Sequence, residues 1–245
     1  MGFKNKAKRI IKQLAGQEVW AGVELSCEYR KIHDWCICPV GIDRDSTVFS
    51  LGVGNDIGFD KGMIANYNCH VHAFDPTPRW IEWIKSQELP QRFHFYPYAI
   101  GDRDGTMKLF PRMPKGKPSS TMLTIMNEGL INGDGIDVSV KRLSTLTDEL
   151  DIPCVDILKM DIEAAEYEVI DDFLAVHLPV YQLLVEFHHR FESVPVKKTR
   201  DALDKLFNAG YRIFYISEKA REFSFIHQQT YEKYIRGGMD ERGSQ

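Results

Sequence analysis

The chain has 245 residues, of which 43% are apolar and 27% charged, with a net charge of −4. That length and balance fit one α/β domain and exclude the strongly basic footprint of a nucleic-acid binder. No apolar run approaches the ~20 residues that span a bilayer, the start lacks the apolar core of a secretory signal, and five sparse cysteines favour a reduced, cytoplasmic setting.

Residues 1–46 are expected to pack on the domain as a basic helix and an irregular segment. Lys4, Lys6, Lys8, Arg9 and Lys12 stand without an acid, while Phe3, Ala7, Ile10, Ile11 and Leu14 recur at helical spacing. Such a helix either packs with its basic face solvated or makes a peripheral contact with a membrane through residues 1–14. Cys27, Cys36 and Cys38, taken with His33, lack a standard zinc spacing, and the cysteines read as core residues.

From residue 47 apolar strands alternate with helices. Strands are predicted at Thr47–Val53, His70–Phe74 and Arg92–Ile100, with helices at Phe59–Tyr67 and Arg79–Gln87 between them. Thr106–Phe110 is an additional strand candidate. Residues 111–139 read as irregular, rich in Pro, Gly and Ser, with Arg112, Lys115 and Lys117 near their start. A long loop of this kind is either a lid or a solvated excursion. Strands Val155–Met160 and Val180–Phe187 follow, each with a helix behind it, at Glu166–Leu174 and Lys197–Asn208. Tyr211–Ser217 and Glu222–His227 then form an antiparallel hairpin. The fold class is therefore α/β: a doubly wound, Rossmann-like sheet of seven strands closed by a C-terminal hairpin. A sheet with that closing hairpin resembles the architecture of class I S-adenosylmethionine-dependent methyltransferases.

Two motifs carry chemistry. The first joins Ser50, Gly52, Gly54, Asn55 and Asp56 to a second strand ending on Asp75 and Pro76. Glycines let backbone approach a ligand, and an acid beyond the next strand accepts hydrogen bonds from ribose hydroxyls. The gap between Gly54 and Gly58 is three residues, one more than in the dinucleotide fingerprint. This favours S-adenosylmethionine, which has no pyrophosphate. Asp102, just past the third strand, is expected near the adenine, with Tyr98, Ala99 and Ile100 lining it. The second motif is Asp161, Glu163 and Glu166 at the end of one strand, with Glu186 and His188 at the end of the next. Parallel neighbours aim these groups at one crevice. His188 is the first candidate for the base that takes a proton from an alcohol, because its ordinary pKa is near neutrality. Asp161 or Glu163 can orient the acceptor or serve instead. Asp161 and Glu186 can also hold magnesium or manganese. The plainer reading of Glu163 and Glu166 is that they cap the helix that follows.

Val155–Glu166 resembles the Lys-x-Asp-x-Glu-Gly-x-Glu signature of FkbM-like methyltransferases, and Leu184–His188 resembles their next strand. Ser50–Asp56, Phe59-Asp60 and Phe74–Pro76 are similar to a related methyltransferase-like branch. The resemblance runs from about Trp35 to His189. It implies a class I fold over residues 47–245, S-adenosylmethionine as methyl donor, and O-methylation of a sugar, glycan or related small molecule. Ser50 stands where many relatives carry an acid, and Ala164 where the signature has glycine. These departures keep a non-catalytic cofactor-binding module in view. A nicotinamide-dependent oxidoreductase is the rival enzyme, disfavoured by the glycine gap and the hairpin.

Overall fold

The computed structural model describes residues 3–113, 117, 119, 123–125 and 135–240. Helix α1 (Phe3–Leu14) precedes a small hairpin, β1 (Arg30–Ile32) with β2 (Trp35–Ile37). The main sheet then begins with β3 (Thr47–Leu51), α2 (Gly58–Tyr67), β4 (His70–Phe74), α3 (Pro78–Lys85) and β5 (Phe93–Tyr96). An excursion follows through β6 (Ala99–Gly101), β7 (Gly105–Pro111), β8 (Leu123–Thr124) and β9 (Ile136–Arg142). Helix α4 (Leu143–Glu149) returns the chain to the sheet. There β10 (Val155–Met160), α5 (Glu166–Ala175), β11 (Val180–Glu186) and α6 (Val196–Asn208) extend it. The hairpin β12 (Tyr211–Ile216) and β13 (Glu222–His227) closes it, and α7 (Gln228–Asp240) ends the described chain.

The seven-stranded sheet has the order β12-β13-β11-β10-β3-β4-β5. Its central strands pair in parallel, while β13 runs antiparallel to both β11 and β12. The expected sheet and closing hairpin are therefore present. Helices cover both faces, so the central strands are buried along their length and not in alternation. Successive residues feed opposite cores. Phe49, Leu51, Leu158 and Met160 belong to one cluster, Val48 and Ile157 to the other. The parallel registers set Leu51 level with Phe74 and with Met160, and Met160 level with Val185. The carboxyl ends of four strands thus finish in one row, and the loops beyond them share one rim.

Three predicted stretches differ from the structure. The strand expected over Arg92–Ile100 is two strands, because Pro97 has no N–H to give a ladder. Its first half pairs with β4, and its second leaves to pair with β9. The stretch expected to be irregular over 111–139 contributes β8 and the start of β9 to a second, four-stranded sheet, ordered β6-β9-β7-β8. Lys115 lies outside the described residues. Within residues 17–46, the short β1–β2 hairpin packs Ile32, Trp35 and Ile37 against α2 and the main sheet. Cys36 and Cys38 are buried there, with no disulfide among the cysteines. Among the described residues, no helix is long and apolar enough to cross a membrane.

Candidate active site

The loop after β3 must pass extremely close to the loop after β10. At Gly52 the backbone is left-handed (φ +75°), and a Cβ there would stand 1.8 Å from the carbonyl oxygen of Asp161. Only glycine satisfies both conditions. Two backbone bonds weld the junction: Gly52 N–H donates to Phe74 O at 2.9 Å, and Asp161 N–H to Leu51 O at 3.1 Å. Lys159 props the turn from below, its Nζ donating to the carbonyls of Gly52 at 2.8 Å and Leu51 at 3.3 Å. Gly54 is also left-handed (φ +58°), but a Cβ there would meet no protein atom within 4 Å.

Asp75 closes the loop against β4. One carboxylate oxygen accepts from Gly54 N–H and the other from Thr77 N–H, each at 2.8 Å. Each oxygen keeps a second lone pair for a ligand. The loop rims a cleft of about 320 Å³ lined by Gly52, Gly54, Asn55, Asp56, Asp75 and Pro76 on one side, and by Asp161 and Glu163 on another. Its apolar wall includes Trp80, Tyr98, Ile100, Leu109 and Leu123.

Two expected cofactor residues are elsewhere. Ser50 is fully buried beneath the loop, beside Asp60. In strand β3, Leu51 takes the cleft side and Ser50 the other, as side-chain alternation requires. Asp102 lies outside the cleft and pairs with Arg103 at 3.5 Å on the exposed turn before β7. Asp60 is buried with Ser50. Burial pushes its carboxyl up, while the charge of Lys159 and the Ser50 hydroxyl work against that. Missed from the sequence were Trp80 and the wall given by β7 and β8. The period-2 alternation of β7 was visible, but not the sheet that turns it toward the cleft.

The second motif folds into a compact charge cluster. His188 is buried, and its ring is held from behind by the fully buried Glu166. That carboxylate accepts from His188 N–H at 2.9 Å and lies 3.3 Å from Nδ1, while its other oxygen accepts from Ala164 N–H at 3.0 Å. Nε2 faces Asp161 at 3.6 Å and Glu163 at 4.0 Å. Burial opposes a charge on this imidazole, but Glu166, Asp161 and Glu163 together raise it to about 9. These three carboxylates favour the protonated imidazolium, which makes His188 a less ready proton acceptor than an isolated imidazole. Glu166, expected as a helix cap, is the group that fixes it. Arg112 stacks on Phe191, 3.2 Å from the ring centroid, and its Nε lies 3.6 Å from Glu163. The edge of the Pro-rich stretch is thereby tied to the cluster.

Glu186 has a different environment. Burial, then the charge of Asp161, push it up to about 7, against the pull of His188. It lines a second cleft of about 560 Å³, which shares Gly52, Val53, Asp56 and Asp161 with the first. Two cavities thus meet across the glycine loop, with Asp161 on both. Asp161, Glu186 and His188 each bring one ligand atom within 4.8 Å of the others, the single such group among the described residues. A cation held there would compete with a proton for His188.

A family model for the FkbM methyltransferase domain matches residues 41–213. The chain belongs to this family. It is 26% identical over 182 residues to a probable methyltransferase-like protein 24 of Rattus norvegicus, covering 70% of this chain and 43% of that protein. The Homo sapiens counterpart is 25% identical over 148 residues, covering 60% and 33%. The chain spans less than half the length of these curated relatives. Among solved structures, a fibrillarin pre-rRNA processing protein of Methanococcus jannaschii superposes with a TM-score of 0.43 at 12% identity, covering 82% of each chain.

Within this FkbM domain the departure at Ala164 has a backbone consequence. Glu163 (φ 50°) and Ala164 (φ 85°) are successive left-handed residues, a conformation that costs L-residues roughly 1–2 kcal/mol each. Ala164 is not at a relaxed helix start. Ala164→Gly is expected to raise stability by about 1 kcal/mol in a denaturant melt. An unchanged or lower midpoint would show that this turn is not strained. The two loop glycines make a second test. Gly52→Ala is expected to cost about 3 kcal/mol or more, because backbone must move. Gly54→Ala is expected to cost about 1 kcal/mol and chiefly to weaken ligand binding. Equal melting losses for the two would contradict the close passage at Asp161.

Proposed function

We propose that this chain is an S-adenosylmethionine-dependent O-methyltransferase whose acceptor is a neutral hydroxyl-bearing molecule such as a sugar. The observation that carries the reading is the pair of clefts that meet at Asp161, one apolar-walled with a ribose-type acid, the other lined by charged side chains. The first cleft suits S-adenosylmethionine by its donor set. Asp75 is the acid for the ribose, the wall at Ile100 and Leu109 suits a purine, and Asp161 with Glu163 suits the cationic end. Gly54 leaves the rim open where a side chain would intrude. When bound, the cofactor supplies an electrophilic methyl group on a sulfonium.

The chain's own residues account for the rest. An alcohol must lose its proton as it attacks. Glu186, lifted toward neutrality and lining the second cleft, is the base this reading favours over His188. The His188 imidazolium, locked by Glu166, orients Asp161 and Glu163 and offsets their repulsion. Among the described residues the second cleft carries seven carboxylates, against Lys31, Lys159 and Lys219. An anionic acceptor is disfavoured by that excess. Arg112, at the start of the Pro-rich stretch, is engaged by Glu163 and Phe191. Carboxylates beside Tyr215 suit hydroxyls and the face of a sugar ring.

Titration calorimetry with S-adenosylhomocysteine is expected to give saturable binding that Asp75→Ala weakens at least tenfold. Absence of binding to the wild-type chain would overturn the cofactor reading, and NADH binding in its place would favour the oxidoreductase. With an accepted sugar, kcat is expected to follow a bell-shaped pH profile. Its rising limb lies near 7, as Glu186 loses its proton, and its falling limb near 9, as His188 loses its own. Glu186→Gln is expected to lower kcat by about 10²–10⁴-fold. A variant of near-normal rate would remove Glu186 from the chemistry. Activity is expected to survive EDTA; loss restored by magnesium would return the cation to the Asp161 cluster.

A further inference from the structure

We propose that helix α1 docks the protein on an anionic phospholipid surface. An amphipathic helix on a globular domain ordinarily turns its apolar stripe inward. Here the helix is attached by polar residues. Arg9 Nη2 donates to the carbonyl of Ala21 at 2.9 Å, and Gln13 Nε2 donates to that of Val19 at 2.8 Å, with Gln13 buried. Residues four apart share a helix side, so Arg9 and Gln13 mark the side that faces the domain. The apolar residues centre on another side and stay in water: Ile10 is 43% exposed, Ile11 65% and Leu14 75%. The segment that Arg9 clasps adds Trp20 and Val23, both more than half exposed. Tryptophan is favoured at a membrane–water boundary.

Charge selects the occupant. Lys4, Lys6, Lys8, Arg9 and Lys12 are the only charged residues before Glu18, in a chain whose net charge is −4. The remainder of the chain is thus strongly acidic and is repelled by the surface that attracts the helix, which fixes one orientation. Basic residues beside exposed isoleucine, leucine and tryptophan are the composition of a helix lying in the plane of an anionic leaflet. Among the described residues none of the helix lines either cleft, so lipid docking is independent of methyl transfer and is tested with neither cofactor nor acceptor.

The test is co-sedimentation of the full chain with phosphatidylcholine vesicles, with and without about 30% phosphatidylglycerol. Binding to the anionic vesicles is expected to be at least about tenfold tighter and to weaken as salt screens the charges. Ile11→Asp with Leu14→Asp is expected to lower it about tenfold or more. These side chains are exposed, so an unchanged melting curve should accompany the loss. Lys8→Glu with Lys12→Glu gives a second variant that leaves the apolar side intact and is expected to abolish the preference for anionic lipid. Equal partition of the wild-type chain onto both vesicle types, or no binding, would overturn the proposal. So would a dimer, seen by light scattering, that Ile11→Asp with Leu14→Asp dissolves while vesicles stay bare. That outcome would assign the face to a second copy of the chain.

Discussion

The 1.8 Å that a Gly52 Cβ would leave to the Asp161 carbonyl is the constraint on which the site depends. β3 and β10 are neighbours in the middle of the sheet, and their registers finish level. Their loops must therefore either collide or interlock. Glycine at 52 allows the second outcome. The backbone bonds Gly52 to Phe74 and Asp161 to Leu51 then make the loop after β3 and the loop after β10 one rigid piece. Lys159 belongs to the same piece, because its ammonium holds two carbonyls of the turn while its strand carries Asp161 two positions on. A lysine buried under a loop is costly without such partners. Here two carbonyls and the nearby Asp60 carboxyl supply them.

The charge cluster is built on the same logic of mutual support. Glu166, Asp161 and Glu163 crowd one imidazole. Three carboxylates at such spacing destabilise one another in a site of low polarisability, and the imidazolium relieves that repulsion. Glu166 has a second duty, accepting the N–H of Ala164 inside the left-handed turn. The strain of that turn and the protonation of His188 are thus tied to one carboxylate. Glu186, one strand-end away, feels Asp161 more strongly than the imidazolium and sits nearer neutrality. Two neighbouring ionisable groups are in this way pushed apart in proton affinity, one toward the neutral form and the other toward the charged one.

Much of this fold could be read from residues. β4, β10 and β13 begin and end as the apolar runs do, because turn-forming or charged residues bound each run. The closing hairpin was legible for the same reason. The second sheet was not. β9 alternates Ile136, Val138 and Val140 with polar residues, a visible strand signal, yet it sits in a stretch whose Pro and Gly content argued for a loop. Pro97 also announced the break between β5 and β6, but the apolar run on both sides outweighed it. At the site, the positions of Gly52, Asp75 and Asp161 followed from strand ends. The placement of Ser50 turned on alternation along β3, and that of Asp102 on where the chain leaves the sheet. The protonation of His188 was beyond sequence, since an unperturbed pKa says nothing of three acids that folding brings around it.

Glu18 has a consequence for how the molecule is made. Its buried carboxylate accepts from His189 Nε2 at 2.8 Å and also from Arg190, partners 171 and 172 residues further along the chain. These bonds hold the acid at about 2 in spite of its burial. The anchor that seats residues 3–20 therefore does not exist until His189 and Arg190 have emerged. At ~5–20 residues per second, α1 waits roughly 10–30 s on the ribosome with no site to fold onto. The order of synthesis thus places the seating of this segment after the strand that leads to His189 and Arg190.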